Sequence, residues 1–397
     1  MSAQRSLLWP AFALVAVWAV AFSVGPTADV HINDMGVYRG YADAIRAGQY
    51  PYVDFALEYP PLALLVFTAA GALGTDPGTY EFLLGALMLS AALIVLVLTA
   101  DLAGERGWTA AWLVALSPLL TGAMMRTHFD IVVVVLVLAA LVALLADRPI
   151  AGFAMLGAGT MVKLFPGLLA PVAAAWLVGR GRGKEALRGL AVFGAVVVLV
   201  SLPFLSRGYF DSYSFQLERP VQIESTPASV LFAVGGSHVT GTPFTPDRYK
   251  SNGLAGGAAG PVAAVFTVLM IGTLAAVTAL AARRRDRCGL LLAAFAALLA
   301  FAALGKVLSP QFMVWLVPFA ALAWVSGERL LAGLGAGAIL LTQLEFPARY
   351  ADLVLSDTTA IVLVAVRNAV LLAALSVALV RLAGPARSHP HASAVPP

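Results

Sequence analysis

The 397 residues are 60% hydrophobic and only 12% charged, with a mean hydropathy of +0.89 and a net charge of +4. Soluble domains carry about 25% charged residues, and here the deficit runs the whole length, which excludes a soluble enzyme with one anchor. A single cysteine, Cys288, excludes an intramolecular disulfide framework and a cysteine-based metal site, and no basic stripe interleaved with aromatics speaks for nucleic acid.

A membrane-crossing helix needs about 20 mostly apolar residues. The first apolar run, 7–25, follows Arg5 and carries Trp9 and Trp18, which suit a retained signal anchor. A polar segment, 26–60, comes next. Within it Asp34 opens an amphipathic helical pattern, with Val37, Tyr41, Ala44 and Ile45 on one face and Arg39, Asp43 and Arg46 elsewhere. Gly48 to Pro51 ends that helix. Residues 60–73 are too few to span and read as a helix lying in the interface or entering the membrane partway. Spans are then predicted at 78–100, 108–124, 129–146, 151–161, 165–178, 189–205, 258–282, 289–304, 312–326, 330–341 and 359–381. With the first helix this makes about 12 crossings in one all-α transmembrane domain, 1–382, with both termini on one side.

Basic loops stay cytoplasmic. That rule puts 179–188 (GRGRGKEALR) and 283–287 (RRRDR) inside, and 26–60 and the longest loop, 206–257, outside. It also makes 151–178 a helical hairpin with Lys163 at its outer turn. The tail 383–397 reads as disordered and cytoplasmic, with His389 and His391 as solvated residues.

Several functions drop out for want of a motif. There is no GxxxxGK[ST] and no G-x-G-x-x-G after a soluble strand, and a longest loop of about 50 residues leaves no room for a nucleotide-binding domain. HExxH and GxSxG are also missing. Any activated substrate must then arrive through the membrane.

The segment from His31 to Leu62 is the richest in polar and aromatic residues. It has the order D-x3-Y-x-x-Y from Asp34, then G-x-x-P-Y-x-D-F from Gly48, then EYPPL from Glu58. Later come MRTHFD (125–130), KLFP (163–166), RPVQIES (219–225) and KVLSPQF (306–312). The ordered series resembles glycosyltransferase family 87, bacterial polyprenyl-phosphate-mannose-dependent mannosyltransferases of the GT-C superfamily. Each piece alone is weak, but together they cover most of the chain. The resemblance implies a GT-C helical bundle in the cell membrane, with amphipathic interface helices in the first external loop. It also implies an essential Asp there, matched by Asp34, a polyprenyl-phosphate-sugar donor and a lipid or glycan acceptor. Many GT-C enzymes carry two acids at this place, whereas Asn33 precedes Asp34 here. Hard cations want several oxygen ligands, so no metal or other cofactor is expected, though a divalent ion is left open.

The chemistry asks for little. Transfer from a polyprenyl phosphate needs one base for the acceptor hydroxyl and no general acid, because phosphate leaves as a stable anion. Asp34 is the expected base, set against its bland reading as a helix-capping Asp. The departing phosphate needs cations. Arg126, Lys163 and Lys306 fall near outer ends of spans and Arg219 in the large loop; snorkelling to the interface is their alternative. Sugar or acceptor contacts are expected from Glu58, His128, Asp130 and His238, each with a plainer reading. Glu58 would be a loop carboxylate and His238 an exposed loop residue, while His128 and Asp130 would pair with Arg126. Glu218 and Glu224 are expected to hold Arg219. Arg367 falls inside the last span and should face the bundle interior beside a carboxylate or a lipid phosphate. A lipid-linked sugar polymerase or ligase is the nearer alternative function, and a transporter or flippase the further one.

Overall fold

The computed structural model describes residues 6–24, 31–72, 74, 76–242 and 251–385. The chain runs through α1 (Leu8–Ala21), α2 (Met35–Arg46), α3 (Ala63–Gly71), α4 (Pro77–Ala103), α5 (Gly107–Ala115), α6 (Pro118–Thr121) and α7 (Met124–Thr127). It continues through α8 (Asp130–Leu145), α9 (Pro149–Val162), α10 (Leu169–Gly179), α11 (Gly183–Ser201), α12 (Arg207–Glu218) and α13 (Thr226–Val234). The last elements are α14 (Ala259–Arg283), α15 (Arg287–Leu304), α16 (Met313–Val325), α17 (Arg329–Glu345), α18 (Tyr350–Val354) and α19 (Thr358–Ala383). Most of the tail, with His389 and His391, lies outside the described residues.

Five helical stretches among the described residues are long and apolar enough to cross a membrane: Pro77–Thr121, Gly183–Phe204, Ala259–Arg283, Arg287–Leu304 and Thr358–Ala383. Shorter apolar helices stand beside them, so this is an all-α membrane protein. A helix apolar on every side is packed on every side. Accordingly α15 is 78% buried over its most apolar window and α16 is buried along almost its whole length. On α11 and α14 the same windows are only 11% and 6% buried, so Val198, Leu199, Val268 and Ile271 face outward, where only lipid can solvate them.

The first stretch folds back on itself. Gly104 takes φ +61, and at Gly107 a side chain would meet the Ala100 carbonyl oxygen at 2.5 Å, so α5 can turn back along α4 only because that position is bare. The span expected at 108–124 is corrected. It ends at Ala115 and breaks into the short helices α6 and α7, because Pro118 has no N–H to give and Gly122 takes φ +52. The region 206–257 departs from the helical expectation in another way. It carries a three-stranded antiparallel sheet of β1 (Val221–Gln222), β2 (His238–Thr242) and β3 (Ser251–Ala255) in the order β1–β3–β2. Val221 pairs with Leu254 and His238 with Ala255. Val221, Ile223, Leu231 and Leu254 form a small core against Leu353 and Val364, which seats the sheet on α18 and α19.

The loops sort into two ends. Arg180 donates to the Arg285 carbonyl at 3.0 Å, Arg287 to that of Asp101 at 2.8 Å, and Arg284 to those of Arg381 and Gly384, both at 3.1 Å. Arg106 bonds the Val325 carbonyl, and Arg381 pairs with Glu328 at 2.9 Å. The two basic stretches of the sequence therefore meet at one end of the bundle. At the other end, Leu62 N–H donates to Met161 O at 2.9 Å, Gln222 N–H to Lys306 O at 2.9 Å, and Asn252 to the Tyr350 hydroxyl at 2.8 Å. The segment after α1, the described part of 206–257, and the turns holding Lys163 and Lys306 gather there.

Candidate active site

Asp34 sits at the first turn of α2, yet its side chain makes no capping bond. Asn33 does that work, its Oδ1 accepting from Met35 N–H at 2.8 Å. The Asp34 carboxylate, 35% exposed, instead lies 3.5 Å from Nε2 of the buried His128 and takes a long bond of 3.4 Å from the Tyr38 hydroxyl. The buried face of α2 is Met35, Tyr38, Tyr41 and Ala42, with Val37, Ala44 and Ile45 only half-buried. The real stripe is therefore turned from the expected one toward Tyr38. This rotation puts Tyr38 over Phe67 (ring centroids 4.5 Å) and against Phe129 (5.4 Å) and Tyr59 (6.0 Å), which anchors the start of α2 beside the α7–α8 turn. Burial holds both the Tyr38 and Tyr59 hydroxyls well above the ordinary tyrosine range, so both stay neutral donors.

The tautomer of His128 follows from its neighbours. The Thr127 hydroxyl donates to Ala123 O at 2.9 Å, so the same oxygen accepts from His128 Nδ1–H at 2.9 Å. A neutral ring so fixed offers a bare Nε2 to Asp34. Asp34 and His128 thus form a dyad at the mouth of the bundle.

The expected pairing of His128 and Asp130 with Arg126 is corrected. Asp130, wholly buried, takes both carboxylate bonds from Lys163 Nζ at 2.8 Å and a third from Trp315 Nε1–H at 2.6 Å. Lys163 follows the end of α9, at a break opened before Pro166, and its ammonium also stands 5.0 Å from the Phe129 ring centroid. Lys163 therefore spends most of its charge on Asp130. Arg126, on α7, lies along Gly85 of α4 and has no hydrogen bond or ion pair with a described residue. Of the four expected phosphate ligands it has the most uncommitted donors.

The other two cations are partly committed as well. Arg219 pairs with Glu58 at 3.2 Å and with Gln216 Oε1 at 3.3 Å. Glu218 is exposed and Glu224 is turned inward, so Glu58 takes the place expected for them. Burial pushes the Glu58 carboxyl up despite the pull of Arg219. Lys306 donates to the carbonyls of Leu217 and, at 2.8 Å, Arg219, so it closes the C-terminus of α12. Burial, then the Arg219 charge, lowers its ammonium from the ordinary lysine range. His238 is exposed on β2, an edge strand, and is not drawn into the dyad. Arg367 faces the interior as expected, donating to Glu224 O at 2.6 Å and Thr342 Oγ1 at 3.1 Å, with the Glu345 and Glu224 carboxylates nearby. Among the described residues no group of three or more His, Cys, Asp or Glu gathers as a metal cage would require.

One end of the bundle thus carries an exposed carboxylate backed by a buried histidine, with uncommitted guanidinium donors close by along the chain. The model of glycosyltransferase family 87 matches residues 57–310, well over half of the chain. The chain belongs to glycosyltransferase family 87. The match takes in Glu58, Arg126, His128, Asp130, Lys163, Arg219, His238 and Lys306, while Asp34 lies before it. A comparison with curated proteins gives no match.

Membership makes the chain a membrane glycosyltransferase with a donor and an acceptor to bring together. Sequence reasoning missed Thr127, Tyr59, Trp315 and Gln216, which fix the dyad and the two ion pairs. Trp315 lies 185 positions from Asp130 in an apolar helix, where a tryptophan reads as packing or an interface anchor. Only Thr127 carried a signal, as a hydroxyl next to the one histidine in the MRTHFD stretch.

Proposed function

We propose that this enzyme moves a hexose, mannose by the family resemblance, from a polyprenyl-phosphate donor to a lipid or glycan acceptor. The reaction takes place on the non-cytoplasmic face of a GT-C-type bundle of about 12 crossings. The observation that carries the reading is the Asp34 carboxylate, which is free of any capping duty, partly open to solvent and held against buried His128. In the step, the acceptor oxygen bonds to the anomeric carbon as the carbon–oxygen bond to phosphate breaks. The phosphate keeps the bonding pair, and the hydroxyl proton passes to Asp34. His128 steadies the carboxylate, and its Nε2 shares the proton that arrives. Arg126 faces the departing phosphate, with the remaining donors of Lys163, Arg219 and Lys306 in support.

Arg126→Ala is expected to raise the apparent donor KM or lower kcat by about tenfold to a hundredfold, the worth of one charge-assisted hydrogen bond of about 1.5–3 kcal/mol. Steady-state transfer from a polyprenyl-phosphate sugar measures it. Normal kinetics would make Arg126 a snorkelling residue and leave the donor site unassigned. A panel of such donors, given in turn to the purified protein, also reads the sugar.

The arginines gathered at the end opposite the dyad support this sidedness. In a Cys288→Ala background, single cysteines at Gly181 and Thr242 should react with an impermeant maleimide from opposite faces of oriented vesicles. Labelling of both from one face would overturn the sidedness and move the reaction to the other compartment.

A further inference from the structure

The end of the bundle away from the dyad holds a cavity of about 310 Å³ between α15, α16 and α19. Its walls are apolar, built from Leu291, Leu292 and Phe295, from Phe319 and Leu322, and from Val380. A second cavity of about 320 Å³ shares Arg284, Asp286, Gly384 and Pro385 with it and adds Arg283 and Arg285. The mouth therefore presents Arg283, Arg284, Arg285 and Arg381 against only Asp286 and Glu328. Arg381 and Arg284 are partly spent on those two acids, at 2.9 and 3.3 Å. Arg283 and Arg285 are exposed and have no side-chain bond to a described residue.

We propose that this double cavity binds an anionic lipid whose net headgroup charge comes from a single phosphate, its chain between the three helices and its headgroup under Arg283 and Arg285. Topology alone explains arginines at this end but not a cleft beneath them. A free phosphate would leave the apolar walls without purpose, and a bare hydrocarbon would leave the cations without a partner. An amphiphile with an anionic head uses both, as basic pockets between membrane helices do for anionic headgroups. From Cys288 to Phe295 the α15 wall runs about 10 Å, at ~1.5 Å per residue, which is deep enough for a segment of one chain. The site is separate from the dyad, so the inference stands or falls independently of the proposed reaction.

The chain supplies its own reporter, because Cys288, the sole thiol, lines the first cavity. The full-length protein in neutral phosphatidylcholine nanodiscs is labelled with a maleimide dye. The measurement is repeated with added phosphatidylglycerol, polyprenyl phosphate or inorganic phosphate. Nine-tenths occupancy by a lipid slows labelling about tenfold, since only the empty fraction reacts. Protection by phosphatidylglycerol or by polyprenyl phosphate supports the site and says which lipid it prefers. Protection by inorganic phosphate alone overturns it. The double variant Arg283→Gln/Arg285→Gln should lose the protection in the same membranes, which separates binding from any effect of surface charge on the thiol. Leu292→Trp, which fills the cleft without changing charge, should lose it too. A labelling rate unmoved by every lipid, or protection that survives both variants, overturns the proposal.

Discussion

Asp34→Asn is expected to lower turnover by about 10²–10⁴-fold while the protein folds and binds donor as before. The rival role makes the opposite forecast. Asn caps a helix as well as Asp does, so a capping Asp34 would tolerate the change. In the structure Asn33 supplies the bond to Met35 N–H and the Asp34 carboxylate lies against His128, so the change removes no capping bond. An amide in its place keeps the size and the polar contact and removes only the ability to take a proton. The readouts are single-turnover sugar transfer, for the chemical step, and donor binding, for the fold of the site. A companion change sharpens the assignment. His128→Gln should cut kcat while leaving donor KM near normal, because the carboxylate loses the ring held 3.5 Å from it. A histidine that merely fills space would leave kcat near normal. Transfer by Asp34→Asn within a few-fold of the unaltered enzyme would remove the base from this position.

How far the sequence foretold this site depends on where each partner sits in the chain. Asp34 stood out because it opens an amphipathic run and matches the acid that the family resemblance implies, and the Lys163 turn because the basic-loop rule requires a hairpin over 151–178. The ion pairs were not, because their members are far apart: Glu58 and Arg219 are 161 positions distant, and Lys163 and Asp130 are 33. Pattern reading attached Arg126 to its sequence neighbours His128 and Asp130. The fold instead turns those two side chains toward α2 and α9. The long apolar helices were plain from composition, since a lipid-facing helix need satisfy only length and hydropathy. Short strands in 206–257 were hidden, because elements of two to five residues give periodicity too little to work with.

Arg367→Leu is expected to be the most damaging single change to stability outside the site. Its guanidinium is fully buried beside two carboxylates, Glu224 from the loop after β1 and Glu345 from the end of α17. Glu345 has no hydrogen-bond partner for either oxygen among the described residues, and Glu224 has one, Gln222 Nε2–H at 3.2 Å. Removing the cation leaves buried negative charge without compensation, at a cost of about 3–5 kcal/mol. It also cuts the bonds to Glu224 O and Thr342 that fasten the loop and its sheet onto the bundle. Burial, and then the Glu345 charge, already hold the Glu224 carboxyl well above the ordinary range. A group raised in the folded state contributes stability that is fully present below its unfolded value, about 4.3 for glutamate, and is lost as pH rises through the folded value. The variant should therefore melt furthest below the parent at neutral and alkaline pH and recover part of the gap in mild acid. Adding Glu345→Gln to Arg367→Leu should restore part of it at neutral pH, since an amide needs no counter-charge. Thermal unfolding of the purified proteins across pH measures all three. A single variant that melts with the parent at every pH would mean that the cluster bears no net charge in need of Arg367, and that the loop is held by its apolar core alone.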